Sequence, residues 1–282
     1  MKLVRHGKPG AERPGVLDAA GGLRDLGGSI ANIGPETLAP DALRRLAAIR
    51  PETLPAVAQD APLAMPWRGV SKIVGVGLNY RDHAKEAGMP VPTEPVLFMK
   101  APSSLAGPHD DILLPPKSEK MDWEIELGVV IGSLARRVPV ERALEYIAGY
   151  CVVNDFSERA WQLERGGQWD KGKCFDTFSP VGPWLVTADE VADPQVLDLW
   201  LDVDGVARQR GNTANMVFGV AELVSYISAV MTLVPGDLIV TGTPAGVAMG
   251  RKPAPWLRGG EELRFGIGGL GEQRHRIVAD SR

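Results

Sequence analysis

The sequence reads as a strand-rich α+β fold, and three observations predict it. Its 33 glycines and 23 prolines cut the apolar sequence into short segments, as expected of strands joined by long loops. Hairpin signals separate two pairs of apolar runs: Asp204-Gly205, suited to positive φ angles, lies between 197–203 and 206–210, and a glycine-rich connection lies between 263–267 and 274–278. Helical patterns are few, with 140–147, 157–165 (Ser157 as N-cap) and 220–231 the main ones. In chain order, strand candidates surround Leu3, Val16 and Leu23, a helix is expected over 40–48, and a proline-rich stretch covers 51–66. Residues 1–68 therefore read as a small N-terminal domain and linker, and 69–282 as the main domain. There the pattern tightens, with 72–79 and 96–100 as buried strands.

Composition narrows the function classes. At 282 residues the chain can bury a full core. Its 31 lysines and arginines against 35 acidic residues leave a formal charge of −4, which argues against a nucleic-acid partner and for a small molecule. No apolar stretch is long enough to span a bilayer and no apolar signal region follows the first basic residues, so the expectation is a cytoplasmic protein with no membrane partner. Cys151 in a buried strand and Cys174 in a loop have no metal-type spacing and read as ordinary reduced thiols.

The most informative segment is Asp122-Trp-Glu-Ile-Glu-Leu-Gly-Val-Val-Ile-Gly132. Strand alternation would turn Glu124 and Glu126 to one face. A second buried run, 149–155, ends on Asp155 where apolar sequence gives way to polar. Taken alone, Glu-x-Glu is more simply the wet face of an amphipathic strand. If the three carboxylates converge, however, they repel one another and call for a hard cation such as Mg²⁺ or Mn²⁺.

Three further segments stand beside these strands in order: Gly77-Leu-Asn-Tyr-Arg-Asp-His-Ala-Lys-Glu86, Gly172-Lys-Cys-Phe-Asp-Thr-Phe-Ser-Pro180 and Thr241-Gly-Thr-Pro-Ala-Gly-Val247. Together with Glu124, Glu126 and Asp155 they resemble the fumarylacetoacetate hydrolase family over about residues 70–282. The resemblance implies a mixed β roll or barrel, usually dimeric, so a homodimer through the C-terminal domain is expected. It implies that Glu124, Glu126 and Asp155 bind Mg²⁺ or Mn²⁺. It also implies that His83 and Glu86, spaced i to i+3, form a water-activating dyad on a lid; read by itself, His83 is a partly exposed surface histidine. Lys173 matches the family's active-site lysine, with Lys171 as the competing candidate, and Cys174 stands where many relatives have serine. Gln162 matches a substrate-contacting glutamine, Arg159 lies one turn before it and is taken as a further substrate contact, and Thr243 matches a residue that holds the substrate carboxylate. For Thr241–Val247 a tight turn at a strand end accounts for the sequence equally well.

The implied activity is hydrolytic C–C cleavage of a small 2,4-dioxo acid. At finer grain the chain is similar to bacterial sugar-acid enzymes of rhamnose catabolism, which makes L-2,4-diketo-3-deoxyrhamnonate the expected substrate, with pyruvate and L-lactate as products. Sequences labelled ureidoglycolate lyase come close behind. A decarboxylase, tautomerase or hydratase of the same family is the alternative within the site, and a non-catalytic interaction protein the alternative outside it.

Overall fold

The computed structural model describes residues 1–280. Two sheets dominate. In the larger, eleven-stranded among the described residues, the path runs from Leu23–Asp25 through Arg13–Leu17, Lys2–His6, Ser179–Thr187, Ile147–Asn154, Ile125–Ile131, Leu238–Val240 and Ile73–Gly77 to Val96–Lys100. Two short strands join from the side, and neighbours pair both antiparallel and parallel. The second sheet orders Val206–Asn212, Asp198–Val203, Glu262–Ile267, Gly271–Ala279 and Ile112–Leu114. This is the strand-rich mixed architecture expected; the path of the large sheet keeps two edges and does not close into a barrel.

Why these segments are strands is clear from what each face buries. Along Ile125–Ile131 every residue is buried, with Ile125, Leu127 and Val129 in one apolar core and Val130 in another. Its neighbour Ile147–Asn154 does the same, sending Val152 to the first core and Cys151 and Val153 to the second. Alternation with period two serves both cores at once. The first core fills the space between the sheets, where Leu199, Leu201, Phe265 and Ile277 meet it from the second sheet. A strand buried on both faces has no wet side, so solvent exposure cannot account for Glu126.

The segment 1–68 adds its strands to the large sheet through pairing of Lys2–His6 with Ser179–Thr187. Leu3, Val16, Leu26, Leu38 and Trp67 share the second core with Val130, Cys151, Val153 and Leu185. The expected hairpin turn is present, with Asp204 at φ 50° and Gly205 at φ 72°. Two local expectations change. Residues 140–146 form a 3-10 run. Ser157–Glu158 is a short strand, so the following helix covers only Arg159–Leu163 and is capped by Glu158, whose carboxylate accepts from the Trp161 N–H. No helix among the described residues is long and apolar enough to cross a membrane.

Candidate metal centre and active site

Two adjacent strand ends build the acidic cluster. Ile125 pairs with Asn154 at one end of the antiparallel ladder, so Glu124 and Asp155 are the next residue on each strand and emerge side by side. The Asp155 N–H donates to Glu124 O at 2.8 Å and the Glu124 N–H donates to Asn154 Oδ1 at 2.9 Å, which locks the pair where the ladder stops. Glu126 lies within the ladder, and the Gly242 N–H donates to its Oε2 at 2.7 Å. Gly242 holds φ 95°, and a Cβ there would come within 2.8 Å of Asn79 Cβ, so only glycine brings this amide so close. Glu124, Glu126 and Asp155 are all buried, each offering one carboxylate oxygen within 4.8 Å of the others.

Three buried cations surround them. Lys173 Nζ donates to Glu124 Oε2 and Asp155 Oδ2, both at 2.6 Å. The Arg159 guanidinium donates to Glu124 Oε1 at 2.5 Å, Asp122 Oδ2 at 3.0 Å and Gln162 Oε1 at 2.9 Å. Lys100, at the end of the Val96–Lys100 strand, pairs with Asp155 Oδ1 and donates to Phe156 O and Phe178 O. Lys171, the competing lysine, is exposed and donates to Arg165 O. Helix geometry explains the split, because positions 171 and 173 of the Asp170–Lys173 turn point to different sides.

The charges set the protonation of the cluster. Burial alone would raise the Glu124 carboxyl, but Arg159 and Lys173 together hold it well below the usual carboxylate range. Glu126 goes the other way: burial and then the negative charges of Asp155 and Glu124 push it well above the ordinary value. Burial weakens the Lys173 ammonium, yet Asp155 and Glu124 outweigh it and keep that lysine charged. Burial, with help from Lys173, pulls Lys100 down despite its contact with Asp155. Asp122, Glu124, Glu126 and Asp155 against Lys100, Arg159 and Lys173 leave the buried set one negative charge in excess when all are ionised. Three hard oxygen donors, one of them reluctant to ionise unaided, suit a divalent cation.

The Arg81–Glu86 helix brings His83 to the same pocket. His83 is buried, and its Nδ1 lies 3.4 Å from Glu86 Oε2. The Gly246 N–H donates to both Glu86 carboxylate oxygens at 3.0 Å. Partial burial would raise Glu86, but the hydrogen bonds from His83 and Gly246 lower it on balance. The Thr243 hydroxyl donates to Ile125 O and accepts from Gln209 Nε2, both at 2.8 Å. It must leave Ile125 O to donate to a ligand.

One pocket gathers His83, Glu124, Glu126, Asp155, Arg159, Gln162, Lys173 and Thr243 in its lining. Glu86 sits behind His83. Lys100, Asp122 and Gln209 were not foreseen. Lys100 closes the otherwise apolar run Val96-Leu-Phe-Met-Lys100, whereas Asp122 and Gln209 lie in polar sequence with no such signal.

Known proteins share this sequence and fold. The family model described as fumarylacetoacetate (FAA) hydrolase C-terminal matches residues 72–278. A Burkholderia cenocepacia protein named only "Putative hydrolase" is 60% identical over 274 residues, 97% of each chain. The fumarylacetoacetate hydrolase of psychrophilic Exiguobacterium antarcticum superposes with a TM-score of 0.87 at 34% identity, covering 99% of this chain and 100% of that one. Maleylpyruvate hydrolase from Sphingobium sp. SYK-6, solved with manganese(II) and pyruvate, gives a TM-score of 0.83 at 29% identity over 100% of both chains.

Proposed function

The chain belongs to the fumarylacetoacetate hydrolase family, and from that premise we propose that it is a divalent-metal-dependent hydrolase of 2,4-dioxo acids. The observation that carries this reading is the buried convergence of Glu124, Glu126 and Asp155 beside Lys173, facing the His83–Glu86 pair across one pocket. Glu124, Glu126 and Asp155 would hold Mg²⁺ or Mn²⁺; the Sphingobium relative was solved with manganese(II). When bound, the ion supplies an anchor for a 2-oxo acid and polarises its ketone.

The protein's own groups divide the remaining work. Arg159, Gln162 and Thr243 orient the substrate carboxylate end, Arg159 being rigid because three acceptors already fix it. Glu86, pinned by Gly246 and kept ionised, accepts from His83 Nδ1 and leaves Nε2 to take a proton from water. The hydroxide so formed adds to the C4 ketone; the C3–C4 bond breaks, its electron pair forming the pyruvate enolate. The Lys173 ammonium faces the oxygen on which that charge collects. A proton returned to C3 completes pyruvate, and the C4 fragment leaves as a carboxylic acid.

The finer assignment is L-2,4-diketo-3-deoxyrhamnonate, cleaved to pyruvate and L-lactate, in cytoplasmic rhamnose catabolism by a homodimer. It rests on the resemblance read from the sequence alone, and not on the relatives reported above, which are named as a hydrolase, a fumarylacetoacetate hydrolase and a maleylpyruvate hydrolase. Purified protein with Mg²⁺ or Mn²⁺ is expected to release pyruvate from acylpyruvates, and fastest in kcat/KM from the diketo sugar acid. Absence of pyruvate under every divalent-metal condition would refute the hydrolase reading. Faster turnover of ureidoglycolate would refute the substrate assignment alone.

A further inference from the structure

We infer that the mouth of this pocket selects 2-oxo acids with an uncharged tail, and that Met89, Leu163 and Trp169 make the selection. The inference rests on the 2-oxo acid reading above and extends it to the far end of the substrate.

The inner end of the pocket holds all of its charge, and the outer end is apolar. The large apolar side chains of the lining are Leu78, Met89, Phe98, Leu163, Trp169 and Met249; of these Phe98 is buried against Lys173, its ring centroid 4.9 Å from Nζ. Met89 is 49% exposed and Leu163 43%, which places both at the rim. Large apolar side chains left open to water on two sides of one cavity are matched by an apolar ligand segment lying across them. Both are held on short helices: the Met89 N–H donates to Ala84 O at the end of Arg81–Glu86, and Leu163 is the last residue of Arg159–Leu163. Trp169 is fixed against Phe98 at 5.9 Å between ring centroids, over Gly77, where a Cβ would stand 2.5 Å from its ring.

No lining cation is left for a second carboxylate among the described residues. Arg159 and Lys173 are taken up by the acidic cluster and by the 2-oxo acid end of the substrate, and Lys100 pairs with Asp155. A second carboxylate at the outer end would be pressed against Met89 and Leu163 without a partner. The two structural relatives are named for fumarylacetoacetate and maleylpyruvate, both dicarboxylic. This chain is built for a different tail.

The test is calorimetric binding to the Mn²⁺-loaded protein of two non-cleavable acids of equal chain length, 2-oxohexanoate and 2-oxoadipate, which differ only in a terminal methyl or carboxylate. The expected result is that 2-oxohexanoate binds at least about tenfold more tightly. Leu163→Lys and Met89→Lys, at rim positions that tolerate a charge, should each shift that ratio toward 2-oxoadipate by about tenfold. Equal or tighter binding of 2-oxoadipate to the unaltered protein, or an unchanged ratio in both variants, overturns the inference while leaving the 2-oxo acid reading in place. Failure of both acids to bind overturns the two together.

Discussion

Replacing Lys100 with methionine tests how the buried charges hold the site. The ammonium is fully buried and has three acceptors: the Asp155 carboxylate and the carbonyls of Phe156 and Phe178. Methionine fills nearly the same volume, so the cavity term is small and the loss is electrostatic. Asp155 keeps Lys173 but loses one of its two buried cations, and two carbonyls lose their donor. Removing one member of a buried pair costs about 3–5 kcal/mol, which for a chain of this length lowers Tm on the order of 10 °C. Urea denaturation in EDTA should show that loss, and adding Asp155→Asn should recover part of it in a double-mutant cycle. Saturating Mn²⁺ should rescue Lys100→Met more than the unaltered protein, because the excess negative charge facing the ion rises from one to two. A loss under about 1 kcal/mol, with no coupling to Asp155→Asn, would show that the pair is not the buried contact described.

Other outcomes follow from the same geometry. In metal-free protein Glu126 is raised above its ordinary 4.5, so its contribution to stability is present below that pH and is lost as pH rises toward the folded value. Thermal melts in EDTA across this range should therefore fall more steeply for the unaltered protein than for Glu126→Gln, by about 1.4 kcal/mol per pH unit, and parallel slopes would contradict it. His83→Ala should reduce pyruvate release from an acylpyruvate by about 10²–10⁴-fold while NMR still detects solvent exchange at C3 of pyruvate, which needs only the enolate-stabilising groups. Loss of exchange together with hydrolysis would remove His83 from the water-activating role. Arg159→Lys keeps the charge but cannot reach Asp122, Glu124 and Gln162 at once, so Mn²⁺ affinity measured by calorimetry should fall by about tenfold.

The strand character of 122–132 and 149–155 was legible because apolar period and turn residues fix it locally, and with it the candidate acidic trio. What period alone could not give was the break before Ile125. That break depends on Gln209 Oε1 accepting the Ile125 N–H from the second sheet, a contact across 84 residues of sequence. Lys100 was hidden for a similar reason: a lysine closing an apolar strand is ordinarily a solvated end, and only the fold brings it under Asp155. The N-terminal 68 residues looked separate because prolines isolate them, whereas pairing of Lys2 and Leu3 with Val186 and Leu185 is invisible to any local pattern. Ser157 was the better N-cap by residue type, but the Ser157–Glu158 pairing with Met121–Asp122 extends the chain one residue further and leaves the cap to Glu158.

The central claim is that three buried carboxylates share one divalent ion. Calorimetric titration of EDTA-treated protein with Mn²⁺ tests it most directly: one ion per chain is expected for the unaltered protein, with binding abolished in Glu126→Ala and Asp155→Ala variants that remain folded. Absence of binding in the unaltered protein, or undiminished binding in both variants, would contradict it.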